Sequence, residues 1–300
     1  MPQIIANGIP LEYAVYGPEK GEVILLIMGF GAQMTRWSPQ FIRELTNRGY
    51  RVIVHDNRDV GLSHRFHEHG EPDMTAVYTA LMSGKTPEVP YLLNDMAADS
   101  AGLLDALGIE RAHIVGASMG GMIAQMVAAN HGERVLSLVS VMSTTGNPAL
   151  PPAKPEAMAA LTKPSVDPAE NLDKHVWNGI ESQKVIGSPD YPTPDEILAE
   201  RIRADARRAY YPVGRSRQMA AIVASGDRRA ALATISAPTV VIHGGADPLV
   251  PVEGGHDTAA VIPGAELHVI PGMGHDLPAQ LIPRIADLIE RATMRAREGV

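Results

Sequence analysis

Short apolar runs separated by amphipathic segments organise the first part of the chain. Val23–Ile27 (VILLI) and Arg51–His55 (RVIVH) are continuous runs rich in β-branched residues and leucine. Runs of this length without polar alternation are typical of strands buried in a parallel sheet. Residues 38–48 between them have the features of a helix, with Ser38 as N-cap, proline at the first helical position and Gly49 at the end. The pattern predicts a strand–helix–strand unit.

The same alternation continues to the end of the chain. Within residues 2–16, the pattern predicts two short strands on either side of the turn pair Asn7-Gly8. Further strands are predicted at 112–115, 135–142, 239–243 and 267–270, and further helices at 95–107, 253–262 and 278–297. Strands that alternate with helices at this spacing predict an α/β fold, with a mostly parallel sheet covered on both faces.

Residues 145–225 interrupt this alternation. The segment is rich in proline and has no strand pattern, and its short helical stretches fall at 170–184, 194–209 and 215–224. Ligands of open α/β sheets bind at the carboxyl ends of the strands, where such an insertion would emerge. We therefore expect a helical cap at 145–225 between two parts of an α/β core, 1–144 and 226–300. A surface excursion without a role in recognition is the alternative.

The amino-acid composition and net charge disfavour several classes of binding partner and site. The net charge of −8 argues against nucleic acid or an anionic membrane surface. The absence of cysteine excludes disulfides, cysteine zinc sites and thiol catalysis. The N-terminal residues do not resemble a signal peptide, and the longest apolar run is too short for a membrane span. We expect a cytoplasmic protein with a small-molecule substrate and no membrane span; the sequence leaves a homo-oligomer open.

The most informative motif is Gly116-Ala-Ser-Met-Gly120, the only G-x-S-x-G of the chain. It follows a strand-like run and opens a helix-like run. Such a strand–turn–helix junction holds the serine out of the sheet in a strained backbone, with a helix N-terminus behind it to stabilise developing negative charge. Ser118 is therefore a candidate nucleophile. The alternative is a glycine-rich turn with an ordinary serine.

A serine nucleophile needs a base and a carboxylate that orients the base. Asp247 follows the predicted strand 239–243, and His275 follows the strand 267–270. The chain order Ser118, Asp247, His275 is one in which such a catalytic set occurs on a parallel sheet flanked by helices. Asp247 could instead form a local turn before Pro248, and His275 could cap the last helix.

Two backbone N–H groups are expected to form an oxyanion hole. One belongs to Met119, the residue after the serine, and the other to the loop that follows the strand Val23–Ile27. We assign the second to Phe30, because Gly29 and Gly31 would let the backbone face inward. A core role for the Phe30 ring is the alternative and is compatible with this assignment.

GASMGG at 116–121 and DNRDVGLS at 56–63 resemble motifs of the α/β-hydrolase superfamily. Three further motifs are combined with DNRDVGLS: LLIMGFG at 25–31, GADPLVP at 245–251 and PGMGHDLP at 271–278. The combination is similar to the aclacinomycin methylesterase-like branch of serine esterases. Asp59 stands where the family's D-x-R-G-x-G-x-S turn usually has glycine, so the local turn is expected to differ. Met28 stands where many members have histidine, which removes that side chain's hydrogen bonds but keeps the backbone donor.

Two further clusters have less specific interpretations. His64, His67 and His69 crowd one loop; we favour a polar loop near the pocket mouth over a metal site, because no matching ligand cluster is evident elsewhere. Methionines gather around the predicted site, where most would pack in the core and some would line an adaptable acyl pocket: Met28, Met34, Met119, Met122, Met126 and Met142.

The resulting hypothesis is a carboxylic ester hydrolase that forms a serine acyl-enzyme on a small to medium, largely apolar ester, with no cofactor or metal. Epoxide hydrolases and haloalkane dehalogenases use an aspartate nucleophile, which disfavours them here because the position holds Ser118. The same three residues could cleave lactones or carbon–carbon bonds, or make peracids. A small-ligand receptor on a hydrolase fold is the alternative from another class.

Overall fold

The structure is a computed structural model that describes residues 2–299. Within them, eight strands form one sheet in the order β1-β2-β4-β3-β5-β6-β7-β8. The strands are β1 (Gln3–Ala6), β2 (Ile9–Tyr16), β3 (Val23–Ile27), β4 (Arg51–His55), β5 (Ala112–Ala117), β6 (Val135–Val141), β7 (Thr239–Gly244) and β8 (Glu266–Ile270). The pairings β1–β2 and β2–β4 are antiparallel, and the other five pairings are parallel. The mostly parallel sheet that the sequence predicts is confirmed.

Helices connect the strands and extend the fold. They are α1 (Pro39–Asn47), α2 (Met74–Met82), α3 (Leu93–Ala106), α4 (Met119–Asn130), α5 (Pro155–Thr162), α6 (Pro168–Ile186), α7 (Asp195–Arg208), α8 (Pro212–Ser225), α9 (Arg229–Leu232), α10 (Glu253–Val261) and α11 (Ile282–Glu298). Single 3₁₀ turns lie at Met34–Arg36, His67–His69, Gly132–Arg134 and Ala279–Leu281.

Both faces of the sheet are buried, which explains why its central strands are continuous apolar runs. On β3, Leu25 and Ile27 pack in a core with residues of α3 and α4. Ile24 and Leu26 point to the opposite face and pack with residues of α1 and α11. Successive side chains of a central strand therefore pack alternately in the two cores. Because neither face is exposed to solvent, these strands lack the alternation of apolar and polar residues that a half-exposed strand has.

The helix boundaries follow their local chemistry. The hydroxyl oxygen of Ser38 accepts the Phe41 N–H at 3.2 Å, and Gly49 follows α1 with φ of +90°, as predicted. Helix α3 begins two residues before the predicted start because Asp95 accepts the Leu92 N–H at 2.7 Å and caps an earlier turn.

Helices α2, α5 and α9 were not predicted. The α5 sequence begins in a proline-rich stretch, yet Pro155 occupies the first turn, where its missing N–H costs nothing.

The segment between β6 and β7 contains helices α5 to α9 and no strand. The helical character expected for 145–225 is therefore confirmed, while its division from the core as a separate cap stays a prediction. None of the helices within residues 2–299 is long and apolar enough to cross a membrane.

The buried His55, at the end of β4, links stability to pH. Burial lowers the pKa of His55 from 6.5 to about 4, so the folded state resists the proton that the unfolded chain accepts. The free energy of unfolding should therefore fall as pH decreases below about 6.5 and level off below about 4, by about 3–3.5 kcal/mol from this residue. Urea unfolding at neutral pH and at about pH 4.5 measures this dependence.

His55→Met should weaken the pH dependence by that amount, because the apolar side chain takes no proton in either state. His256→Met, at an exposed position, is the matched control for the loss of one histidine. An acid-induced loss of stability that is equally large in His55→Met and in the unsubstituted protein would contradict this assignment.

Candidate active site

Ser118 occupies the turn between β5 and α4, in a backbone conformation that side chains rarely adopt. Its φ is +58° and its ψ is −122°, and its N–H donates to the Val141 carbonyl of β6 at 2.9 Å. The glycines of the motif are required by space. A Cβ at Gly116 would lie 2.0 Å from the Gly120 carbonyl oxygen, and one at Gly120 would lie 2.1 Å from the Ile27 carbonyl oxygen. The crowded turn therefore allows no side chain at either glycine.

The structure brings together the three side chains that the sequence singled out. Nε2 of His275 lies 2.9 Å from Oγ of Ser118, and Nδ1 of His275 lies 2.7 Å from Oδ2 of Asp247. Asp247 follows β7 and His275 follows β8, so neighbouring parallel strands deliver both residues to one edge of the sheet. All the contacts needed for proton transfer from the hydroxyl to the imidazole are present.

The second carboxylate oxygen of Asp247 forms the local turn that was the alternative interpretation of this residue. Oδ1 accepts the N–H groups of Leu249 and Val250, each at 2.9 Å, and so orders the turn after β7. Nε2 of the buried His243 donates to the Val250 carbonyl at 2.8 Å, and burial lowers the pKa of His243, which favours its neutral form. The turn and the contact with His275 therefore use different oxygens of one carboxylate.

The end of α6 holds the loop that carries His275. The His275 N–H donates to the Ile186 carbonyl at 2.7 Å, and the Gly274 N–H donates to the hydroxyl of Ser188 at 2.9 Å. The Ser188 hydroxyl in turn donates to Asp276, whose pKa is raised by burial. The segment between β6 and β7 therefore contributes directly to the position of the imidazole. His275 does not cap the last helix, which begins after Leu281.

The loop after β3 lies against Ser118, where the second oxyanion donor was expected. A Cβ at Gly29 would lie 2.9 Å from the Ala117 carbonyl oxygen and 3.0 Å from the Ser118 Cβ, so only glycine allows this approach. Within residues 2–299, the N–H groups of Phe30 and Met119 donate to no protein acceptor. Both are backbone donors beside the serine that are free to bind a ligand oxygen.

Gln218 of α8 is a residue that the sequence analysis missed. Its side-chain oxygen accepts the Gly31 N–H at 2.8 Å, and its side-chain nitrogen donates to the Arg58 carbonyl at 2.8 Å. It therefore ties the loop next to Phe30 to the turn after β4. No local pattern marks this glutamine, because its partners lie more than 150 residues away.

Asp59, the departure from the family's turn, keeps a left-handed backbone with φ of +65°. A positive φ is adopted readily by glycine and rarely by aspartate. Both its oxygens bind the fully buried Arg217 of α8 at 2.8 Å, and Tyr91 donates its hydroxyl at 2.7 Å. This hydrogen-bonded ion pair raises the pKa of Arg217. The turn and α8 are joined by a contact that local sequence does not reveal.

A cavity of about 490 Å³ opens above Ser118 and His275 and is lined largely by the segment between β6 and β7. The expected methionine lining is confirmed in part: Met28, Met119, Met122 and Met142 face the cavity. Met34 and Met126 are buried in the two cores instead. Because thioether side chains are flexible, the cavity walls that they form can adapt to more than one apolar group.

The three clustered histidines do not converge. His64 packs edge-on against Phe66, and Nδ1 of His67 lies 3.0 Å from the hydroxyl of Tyr211, a cavity residue. His69 lies beside Glu68. In the described part of the chain, no group of three or more metal-ligating side chains is arranged to hold an ion.

Comparison with known proteins places this geometry in a family. The profile of the α/β hydrolase fold matches residues 22–166. A putative carbamate hydrolase from Variovorax paradoxus is 30% identical over 277 residues, covering 89% of this chain and 90% of the relative. Rhodomycin D methylesterase from a Streptomyces species (strain C5) is 27% identical and covers 85% of both chains.

A solved structure has the same fold. The meta-cleavage product hydrolase from Pseudomonas fluorescens IP01 superposes with a TM-score of 0.76 at 23% identity, covering 99% of this chain and 98% of that one. At this identity the likeness concerns the fold alone. With the sequence relatives and the strand order, it leads to one conclusion: the chain belongs to the α/β-hydrolase family and is a hydrolase.

Proposed function

We propose that this protein is a serine carboxylic ester hydrolase that acts through an acyl-enzyme on a small to medium ester. The observation that carries the proposal is the unbroken contact from Ser118 through His275 to Asp247 beside an open cavity. A receptor that only binds its ligand has no use for such a contact. The methylesterase relative supports an ester as the substrate.

The geometry suggests a role for each group. Asp247 accepts a hydrogen bond from Nδ1–H of His275, which leaves Nε2 of the imidazole unprotonated and able to take the proton of Ser118. The serine oxygen then attacks the ester carbonyl, and the N–H groups of Phe30 and Met119 stabilise the oxyanion. His275 returns the proton to the leaving alcohol. Water, deprotonated by His275, releases the acid from the serine and regenerates the site.

The same machinery would serve other acyl substrates, since the cavity walls and not the triad select the substrate. The carbamate hydrolase relative favours carbamates as a second candidate class. Cleavage of lactones, cleavage of carbon–carbon bonds in diketones and formation of peracids are the further alternatives that the sequence analysis left open. Turnover of a panel of methyl esters, carbamates, lactones and diketones distinguishes these activities, and the proposal expects the highest kcat/KM for an ester.

We also propose that residues 145–225 act as a cap. Its helices line the cavity and hold the loops of Gly31 and His275. A cytoplasmic location and the absence of a nucleic-acid partner remain our predictions from the sequence and its net charge of −8. Size measurement in solution tests whether the protein forms a homo-oligomer.

Ser118→Ala should remove the nucleophile and leave the fold intact. Turnover of p-nitrophenyl butyrate should fall by about 10⁴–10⁶-fold, with an unchanged thermal transition. A serine-directed phosphonate should label one peptide, the one that contains Ser118, as mass spectrometry would show. Ser83→Ala, in an exposed turn after α2, is the control. Undiminished turnover or a label on another residue would refute the proposal.

Gln218→Met tests whether the contact from α8 positions the loop of residues 28–31, which carries the proposed donor Phe30 and is called the oxyanion loop below. Loss of the contact to the Gly31 N–H should misplace the adjacent Phe30 donor, which acts in the transition state more than in substrate binding. We therefore expect kcat to fall about tenfold with KM nearly unchanged, since complete loss of one such donor costs about 10²–10³-fold.

Gln280→Met, at an exposed position, is the matched control and should keep the original kinetics. If Gln218→Met raises KM and leaves kcat unchanged, Gln218 shapes the substrate pocket and does not position the oxyanion donor.

A further inference from the structure

The charge of the cavity lining is opposite to that of the whole protein. The chain carries a net charge of −8, yet the charged residues that line the cavity are four basic and two acidic: Arg36, Lys163, Arg201, Arg215, Asp205 and Asp276. A cleft that concentrates one sign of charge inside low-dielectric walls attracts ligands of the other sign. The cavity is therefore suited to a ligand that carries negative charge.

The two acidic residues are already engaged and do not neutralise the whole group. Asp205 binds Arg36 and also accepts the hydroxyl of Thr35 at 2.8 Å. Asp276 accepts the hydroxyl of Ser188. Within residues 2–299, Arg201 and Arg215 have no carboxylate within 4.0 Å of a guanidinium nitrogen. Of the basic residues that line the cavity, Arg201 and Arg215 thus have no carboxylate in direct contact among the described residues.

Arg215 is the basic residue placed beside the oxyanion loop. Its guanidinium carbon lies 5.2 Å from the centroid of the Phe30 ring, and its stem packs so close to Gly31 that a Cβ there would lie 2.9 Å from Arg215 Cγ. Nη2 donates to the Leu161 carbonyl at 2.7 Å, the one hydrogen bond of this side chain within the described residues. The remaining N–H groups of the fork are available at the cavity.

The neighbouring Arg217 shows what a fully paired arginine looks like on the same helix. It binds both oxygens of Asp59, whereas Arg215 has a carbonyl and an aromatic face. A partly buried cation without a counter-charge is costly, and burial lowers the pKa of Arg215 while Arg36 acts in the same direction. A carboxylate from the substrate would remove this cost, because its two oxygens match the planar guanidinium fork.

We propose that Arg215 forms a carboxylate subsite, so that the preferred substrate is an ester with a free carboxylate elsewhere in the molecule. The inference rests on the proposed esterase function and narrows its substrate class. The apolar part of such a substrate would lie against the cavity methionines, with the ester carbonyl at Ser118 and the carboxylate at the guanidinium. The ester is apolar along its body and anionic at one end.

Two esters that differ only in charge test the subsite: mono-p-nitrophenyl adipate and methyl p-nitrophenyl adipate. Release of p-nitrophenol reports cleavage of the same bond in both. The unsubstituted protein should favour the carboxylate, and Arg215→Gln should reduce the ratio of the two kcat/KM values by about 10–100-fold, the value of a charge-assisted hydrogen bond. Arg215→Lys should retain part of the ratio, because it keeps the charge and loses the fork.

Arg203→Gln, on the insertion outside the cavity, is the matched control and should leave the ratio unchanged. An unchanged ratio in Arg215→Gln overturns the proposal. An equal loss of turnover for both esters overturns it too, because Arg215 would then support the oxyanion loop without selecting charge. Preference of the unsubstituted protein for the neutral ester would have the same consequence.

A binding measurement separates this proposal from the esterase function. Adipate titrated into Ser118→Ala and into Ser118→Ala/Arg215→Gln, with calorimetric detection, requires no turnover. Binding that weakens about 10–100-fold in the double variant supports the subsite even if neither ester is cleaved; failure of cleavage alone would refute only the esterase function. Equal adipate binding by both variants, or none by either, overturns the subsite.

Discussion

The hydroxyl of Ser118 faces the cavity because the chain turns from strand to helix within one residue, at a φ of +58°. A non-glycine residue in such a conformation costs about 1–3 kcal/mol and persists only where its surroundings leave no alternative. Here β6 holds the Ser118 N–H, and the close approach of Gly116 to Gly120 leaves the turn no room to relax. The packing of β5 between two buried cores, and of α4 in one of them, therefore maintains the strain that exposes the proposed nucleophile.

Helix α8 is fixed to the core by a second left-handed residue, Asp59. A Cβ at Gly214 would lie 2.0 Å from the Asp59 carbonyl oxygen, so the helix touches this turn directly. The paired charges of Asp59 and Arg217 orient α8 more than they stabilise it, since buried ion pairs gain little net free energy. Once oriented, the helix directs Gln218 and Arg215, three residues apart and on one face, to the loop of Gly31 and Phe30.

The sequence predicted those parts of the molecule in which position along the chain determines position in space. Residues just after parallel strands meet at one edge of the sheet, so Ser118, Asp247 and His275 could be grouped before any coordinates were considered. Their roles remain our proposal. The partnership of Asp59 with Arg217 and the clamp from Gln218 could not be predicted, because each joins residues more than 150 positions apart. Neither contact leaves a periodic signal in the sequence.

The insertion between β6 and β7 holds two separate parts of the site. Gln218 binds the Gly31 N–H of the oxyanion loop, while the carbonyl of Ile186 accepts the His275 N–H. Displacement of these helices would break hydrogen bonds on both sides of Ser118, so the geometry of the proposed base and of the proposed oxyanion donor depends on the insertion. The element that lines the cavity thus also positions the proposed catalytic groups, so the proposal makes substrate selection and catalysis depend on one structural unit.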